Sequence, residues 1–215
     1  MSRPIFLGNG AMLVGLDKDG FVYDFYYPYV GLENHASSRD LHHRIGVWVD
    51  GDFTWLDDGS WDISLDYSPV GLIGHMKAVC SIREITLEFH DAVDSQYNVF
   101  SRNIHVVNNS KFQKDIRVFL HQVFRISDSN RDDTAQYMPD DHVLVHYRGR
   151  RVFVIGGEHA DGTPFDQFSI GLHGIEGHEG TYKDAEDGEL SSHPVEHGRV
   201  DSTIRYSIKV EPLSS

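Results

Sequence analysis

Short β-favouring runs alternate with turn residues along most of the chain. Ala11 to Asp17 (AMLVGLD) and Phe21 to Tyr27 (FVYDFYY) flank a DKDG turn, a hairpin pattern. Arg44 to Val49 and Phe53 to Leu56 flank Asp50-Gly51-Asp52, whose Asp-Gly pair suits the positive φ of a tight turn. His142 to Tyr147 and Val152 to Ile155 flank Arg148-Gly149-Arg150. Longer runs at Glu84 to His90, Tyr97 to Val107 and Ile116 to Ile126 lie between the hairpins, and Phe165 to Leu172 and Ser202 to Val210 follow.

No long segment carries a helical period, and only Tyr182 to Gly188 suits two turns of helix. The expectation is an all-β chain with very little helix, folded as packed sheets or a barrel. The run IRVFLHQVFRI is apolar on both faces, which points to a central strand covered on both sides in a large sandwich. Ser127 to Asp141 and Gly174 to Arg199 are polar and break the rhythm. They are expected as long loops, of the kind that often carry function.

Candidate chemistry is sparse. Gly8-Asn9-Gly10 lacks the spacing of a dinucleotide fingerprint and runs into a strand, so no helix N-terminus is there to bind phosphate. Asp17-Lys18-Asp19-Gly20 offers two acids where a calcium loop needs several and a distant glutamate. His142 and His146 sit four apart on an expected strand, about 13 Å from each other and too far for one ion. His42, His43, His193 and His197 remain loop-borne candidates, but no metal set is assigned and no cofactor is expected. Glu33, Asp57, Asp58, Asp132, Asp133, Glu186 and Glu189 could pair across a cleft as glycosidase carboxylates do, yet nothing in the sequence brings any two together. No Gly-x-Ser-x-Gly elbow is present.

The aromatics say more. Phe25, Tyr26, Tyr27 and Tyr29 crowd Pro28, and Trp55 and Trp61 bracket an acidic turn. Such rings cap a core, seal a domain interface or stack on sugar faces. The net charge of −14 argues against nucleic acid and anionic membranes as partners. No window approaches a membrane span, no export signal is recognisable, and the lone Cys80 excludes an internal disulfide. A cytoplasmic location and a buried structural thiol are the expectations.

Five segments in order, LGNGAMLVGLDKDGFVYDFYYPYVGLENH, RIGVWVDGDFTWLDD, DAVDSQYNVFSRNIHVVNNS, DDTAQYMPDDHVLVHYRGRRVFVIGG and GTYKDAEDGELSSHPVEHGRVDSTI, resemble the N-terminal domain of prokaryotic glucoamylase-like enzymes, glycoside hydrolase family 15. The resemblance runs from Leu7 to about Ile208. It implies one domain over residues 1–215, a large two-sheet antiparallel super-sandwich of the galactose mutarotase-like kind. In the family this domain precedes an (α/α)6 barrel that carries the catalytic glutamates. This sequence shows no helical array before Ser215, so no catalytic residue is carried over.

The expected role is to support and partly cover that barrel in an inverting α-glucosidase. The expected substrate or interdomain surface comprises Tyr27, Tyr29, Glu33, Asn34, His35, Trp55, Trp61, Asp132, Asp133 and Tyr137. Two rivals stand beside it: an autonomous module binding α-glucan or oligosaccharide, and a mutarotase-like sugar enzyme. An exposed interface patch could also pair two copies as a homodimer.

Overall fold

A computed structural model describes residues 3–36, 41–126 and 133–215. The first strands are β1 (Ile5–Gly8), β2 (Leu13–Leu16), β3 (Val22–Tyr26), β4 (Ile45–Val49) and β5 (Asp52–Trp55). Next come β6 (Asp62–Tyr67), β7 (Ile73–Cys80), β8 (Ile85–Val93), β9 (Phe100–Asn108) and β10 (Lys114–Val123). The series ends with β11 (Asp133–Met138), β12 (Val143–Arg148), β13 (Arg151–Ile155), β14 (Gln167–Leu172), β15 (Val195–Gly198) and β16 (Val200–Val210). A single helical turn, α1 (Thr181–Asp184), runs into a 3-10 turn at Ala185–Asp187. Among the described residues no helix is long and apolar enough to cross a membrane.

The expectation of nearly all β structure holds, but the two-sheet super-sandwich does not. The strands hydrogen bond as four separate sheets, ordered β1-β2-β3, β14-β16-β10-β4-β5, β13-β12-β11-β15 and β6-β7-β8-β9. Most pairings join strands that are consecutive in sequence, so β1–β3 and β6–β9 each close a small sheet of their own, and β11–β13 add only β15. Two large sheets would need many pairings between remote strands, and only the five-stranded sheet is built chiefly that way.

The residues gather into two compact units, Met1–His42 with Thr54–Ile116 and Lys209–Ser215, and His43–Phe53 with Arg117–Ile208. In the first unit the β2–β3 hairpin forms as expected, with Leu13 opposite Tyr26 and Leu16 opposite Val22. Asp17 builds its turn, Oδ1 accepting the amides of Asp19 and Phe21, both at 3.0 Å. This is an Asx-type turn and explains the DKDG signal without calcium. Within the β6–β9 meander, β7 alternates cleanly: Gly74, Met76, Ala78 and Cys80 are buried, while His75 and Lys77 face out. Cys80 is thus a buried strand thiol, as expected.

In the second unit, β10 is the middle strand of its sheet, which fits its apolar sequence. Asp50 and Gly51 take φ of 50° and 103° in the β4–β5 turn, as the Asp-Gly pair requires. Ala135, Leu144, Phe165, Ile170, Val200 and Ile204 form a core cluster here, with Tyr137, Phe168 and Tyr206 packed on it. Fully burying each large apolar side chain of this kind contributes roughly 1.5–3 kcal/mol. The two expected long loops are partly ordered strand. β11 lies inside Ser127–Asp141, β15 lies inside Gly174–Arg199, and they pair antiparallel with Thr134 opposite His197. Their polar residues disguise them because only alternate positions of β11 are buried deeply, at Asp133 and Ala135.

Candidate functional site

The densest set of chemical groups lies inside the second unit, at residues no local motif marks. His121 sits on the central strand β10, Asp201 lies in the buried half of β16, and His173 follows the last residue of β14. The ladder sets their approach: Gly171 of β14 faces Asp201, and the His173 amide extends the pairing by donating to Arg199 O at 2.8 Å. All three side chains are buried.

Asp201 Oδ2 is the hub. His121 Nε2 lies 2.9 Å away, His173 Nδ1 3.3 Å, and the Thr181 amide of α1 donates to it at 2.8 Å. Thr181 Oγ1 also meets Thr203 Oγ1 at 2.9 Å, which fastens α1 to β16. Tyr182 packs edge-on to both histidine rings, with centroids 5.7 and 6.1 Å away, and the Arg44 guanidinium covers the Tyr182 ring at 4.9 Å. Gly180, at φ 140°, lets the chain pass close: a Cβ there would stand 2.6 Å from Asp201 Oδ2 and 2.7 Å from His173 Nδ1.

Burial alone pushes the Asp201 carboxyl up, but the hydrogen bonds and charges of His121 and His173 outweigh it and hold the group below its ordinary value. Burial pushes His121 down, and the Asp201 bond does not restore it. Among the described residues, Asp201 Oδ1 and His121 Nδ1 are buried without a hydrogen-bond partner. On β12, His146 is also fully buried, its Nε2 2.8 Å from Ser202 Oγ; burial lowers it to about 4. Two imidazole nitrogens and a carboxylate oxygen, all within 4.8 Å of one another, make a donor set of metal-binding type.

The residues expected from sequence fall in separate places. Tyr27, Tyr29, Glu33, Asn34 and His35 do come together, in one turn after β3 in the first unit. The Tyr27 amide donates to Glu33 O, and the Leu32 and Glu33 amides to Tyr29 O. His35 is buried with Nε2 2.7 Å from Tyr27 O. Asn34 Oδ1 accepts the amides of Phe25 and Ala36, and its Nδ2 donates to Asp24. Asn34 and His35 therefore build the turn, while Tyr29 and Leu32 project from it, 57% and 82% exposed. Beside it runs a shallow groove of about 360 Å³ whose lining mixes Phe6, Leu13, Tyr26 and Val30 with the charged Arg3 and Asp24.

Trp61 is buried and donates from Nε1 to Thr54 Oγ1 at 3.1 Å; Trp55 is half-buried. In the second unit, Asp133 is buried and accepts the Ile126 amide, and Tyr137 stacks on Phe168 with centroids 4.1 Å apart. Asp132 lies outside the described residues. His142 and His146 take different partners, Tyr137 Oη and Ser202 Oγ, in line with their expected separation. His193 and His197 are engaged by Ile170 O and Thr134 Oγ1.

The fold and site together define a nearly all-β chain of antiparallel sheets, with an exposed apolar turn in its first unit and a buried histidine–aspartate cluster in its second. No family model matches the chain. It is 26% identical over 210 residues to a Methanocaldococcus jannaschii protein named as an uncharacterized glycosyl hydrolase, covering 97% of this chain and 32% of that one. Its fold matches part of a bacterial glucoamylase solved in complex with acarbose, with a TM-score of 0.70 at 10% identity, over 95% of this chain and 30% of that chain. The resemblance to glucoamylase-like enzymes is borne out by both. The chain spans about a third of the length of each of these proteins.

Proposed function

We propose that this chain is a non-catalytic N-terminal β domain of a family 15, glucoamylase-like α-glucoside hydrolase, serving to support and partly cover a catalytic (α/α)6 barrel. One observation carries the reading: nearly the whole chain corresponds to about a third of two longer proteins whose names are those of sugar hydrolases. The turn at Tyr27 to His35 is the docking face. Asn34 and His35 hold its backbone, and Tyr29, Val30 and Leu32 are left exposed beside the groove. An exposed apolar patch of this kind suits a protein interface. The lone buried Cys80 supports a reducing, cytoplasmic setting.

The binding-module alternative needs a ring platform open to sugar. Trp61 is buried with its indole N–H already engaged, Trp55, Tyr26 and Tyr27 are half-buried, and Tyr29 is the most exposed ring of that set. The test is an activity and binding assay on the purified chain with maltooligosaccharides and acarbose. The expected result is neither hydrolysis nor saturable binding. Hydrolysis by the pure chain would overturn the non-catalytic reading, and saturable binding lost in Tyr29→Ala would replace it with the module.

A further inference from the structure

We propose that His121, His173 and Asp201 form a binding site for a divalent transition metal, zinc above all, inside the second unit. This inference does not rest on the hydrolase reading.

The geometry fits without large movement. His121 Nε2 and His173 Nδ1 lie 2.9 and 3.3 Å from Asp201 Oδ2. Ligand atoms bound tetrahedrally to zinc at about 2.0–2.1 Å stand roughly 3.3 Å apart, so both contacts to Asp201 are already near that spacing, and all three atoms lie within 4.8 Å of one another. The ligands come from β10, the end of β14 and β16, three neighbouring positions in one sheet order, so backbone pairing fixes them before any ion arrives.

A further observation points to a ligand. Asp201 Oδ1 is buried with no hydrogen-bond partner among the described residues, which leaves acceptor capacity beside the three donor atoms. A water would complete the ion as its fourth ligand. The donor set selects the metal class: magnesium and calcium prefer all-oxygen cages, whereas two imidazoles and a carboxylate suit zinc and share their pattern with ferrous iron. His121 Nδ1 carries no partner to orient it, so the ring is held by packing against Tyr182 instead.

The experiment is to unfold the whole chain in chelator, refold it with and without zinc, remove loose metal and count bound ions by mass spectrometry. About one zinc per chain is expected, with a raised melting temperature and, after cobalt replacement, the visible bands of a four-coordinate site. Asp201→Asn and His173→Gln should each weaken uptake at least ~10-fold, and exposed His193→Ala should leave it unchanged. Refolded wild-type chain that holds no zinc and shows no cobalt bands overturns the proposal, whether or not the variants fold. So does uptake that the Asp201 and His173 variants retain in full. Iron retained in preference to zinc would reassign the ion and keep the site.

Discussion

Arg102 grips Asp91 across the β8–β9 ladder, Nε donating to Oδ1 at 2.8 Å and Nη2 to Oδ2 at 2.7 Å, where the carboxylate is 1% exposed. The two residues stand directly opposite in the register, and the same Nη2 donates to Gly20 O at 2.8 Å. One guanidinium thus ties the meander to the Asp17–Gly20 turn. Arg102→Met leaves the carboxylate buried and unpaired, and should lower unfolding free energy by about 3–5 kcal/mol. The double variant Asp91→Asn with Arg102→Met should recover part of that loss. Arg102→Lys should recover little, because an ammonium cannot hold both carboxylate oxygens and Gly20 together. Urea unfolding checks the order, and a mild Arg102→Met would show that water reaches Asp91.

A second expectation concerns pH. Burial holds the His146 imidazole down at about 4, against 6.5 in an open chain. As pH falls, the unfolded ring takes up its proton first, so this contribution to stability is complete above about 6.5 and is lost between about 6.5 and about 4. From about pH 7 to about pH 5 the loss due to this ring is about 2 kcal/mol. His121, also pushed down by burial, adds a slope of the same sign, and Asp201, held low, adds its own below the ordinary carboxylate range. Denaturant unfolding of wild type and His146→Gln across this range checks it. The variant should flatten part of the slope, and identical slopes would count against a neutral buried ring.

Asn108 is a third joint. Fully buried at the end of β9, it reaches the carbonyls of Phe112, Val210 and Glu211 with Nδ2, at 2.7, 3.0 and 3.2 Å. Its Oδ1 accepts the amide and hydroxyl of Ser110 at 2.9 and 2.7 Å. Asn108→Ala strands these groups and should cost about 2–3 kcal/mol. Asn108→Asp keeps the shape but aims a carboxylate at three carbonyl oxygens, and should be the worse of the two by thermal unfolding near neutral pH.

Local chemistry was legible in the sequence, and long-range pairing was not. The Asp17 turn and the Asp50-Gly51 hairpin depend on residues within one or two positions of each other, so their side chains announce them. The apolar β10 announced its central place in the same way. The make-up of the five-stranded sheet depends on which remote strands meet, as β10 meets β16, and no local pattern encodes that choice. β15 went unseen because Val195–Gly198 is short and mostly exposed or half-buried. Trp61 resembled a surface platform beside an acidic turn, but the Thr54 hydroxyl that satisfies its indole draws it inward. The His121–Asp201 pair spans 80 residues, so no spacing rule reaches it.

Gly180 ties backbone conformation to the cluster and can be separated from an ordinary glycine. It holds φ 140°, and a Cβ would press on Asp201 Oδ2, His173 Nδ1 and the Tyr182 ring. Gly177, at φ 83°, has nothing within 4 Å of the same position. Gly177→Ala therefore meets backbone strain alone and should cost about 1 kcal/mol. Gly180→Ala meets strain and contact together, and should cost about 2–4 kcal/mol, because the crowded carboxylate and imidazole are held by β16 and β14 and cannot retreat freely. Thermal or urea unfolding of the two variants measures the difference directly. Equal losses would mean that the cluster yields around the added methyl and is looser than its distances indicate; a larger loss at Gly180 locates a rigid contact there.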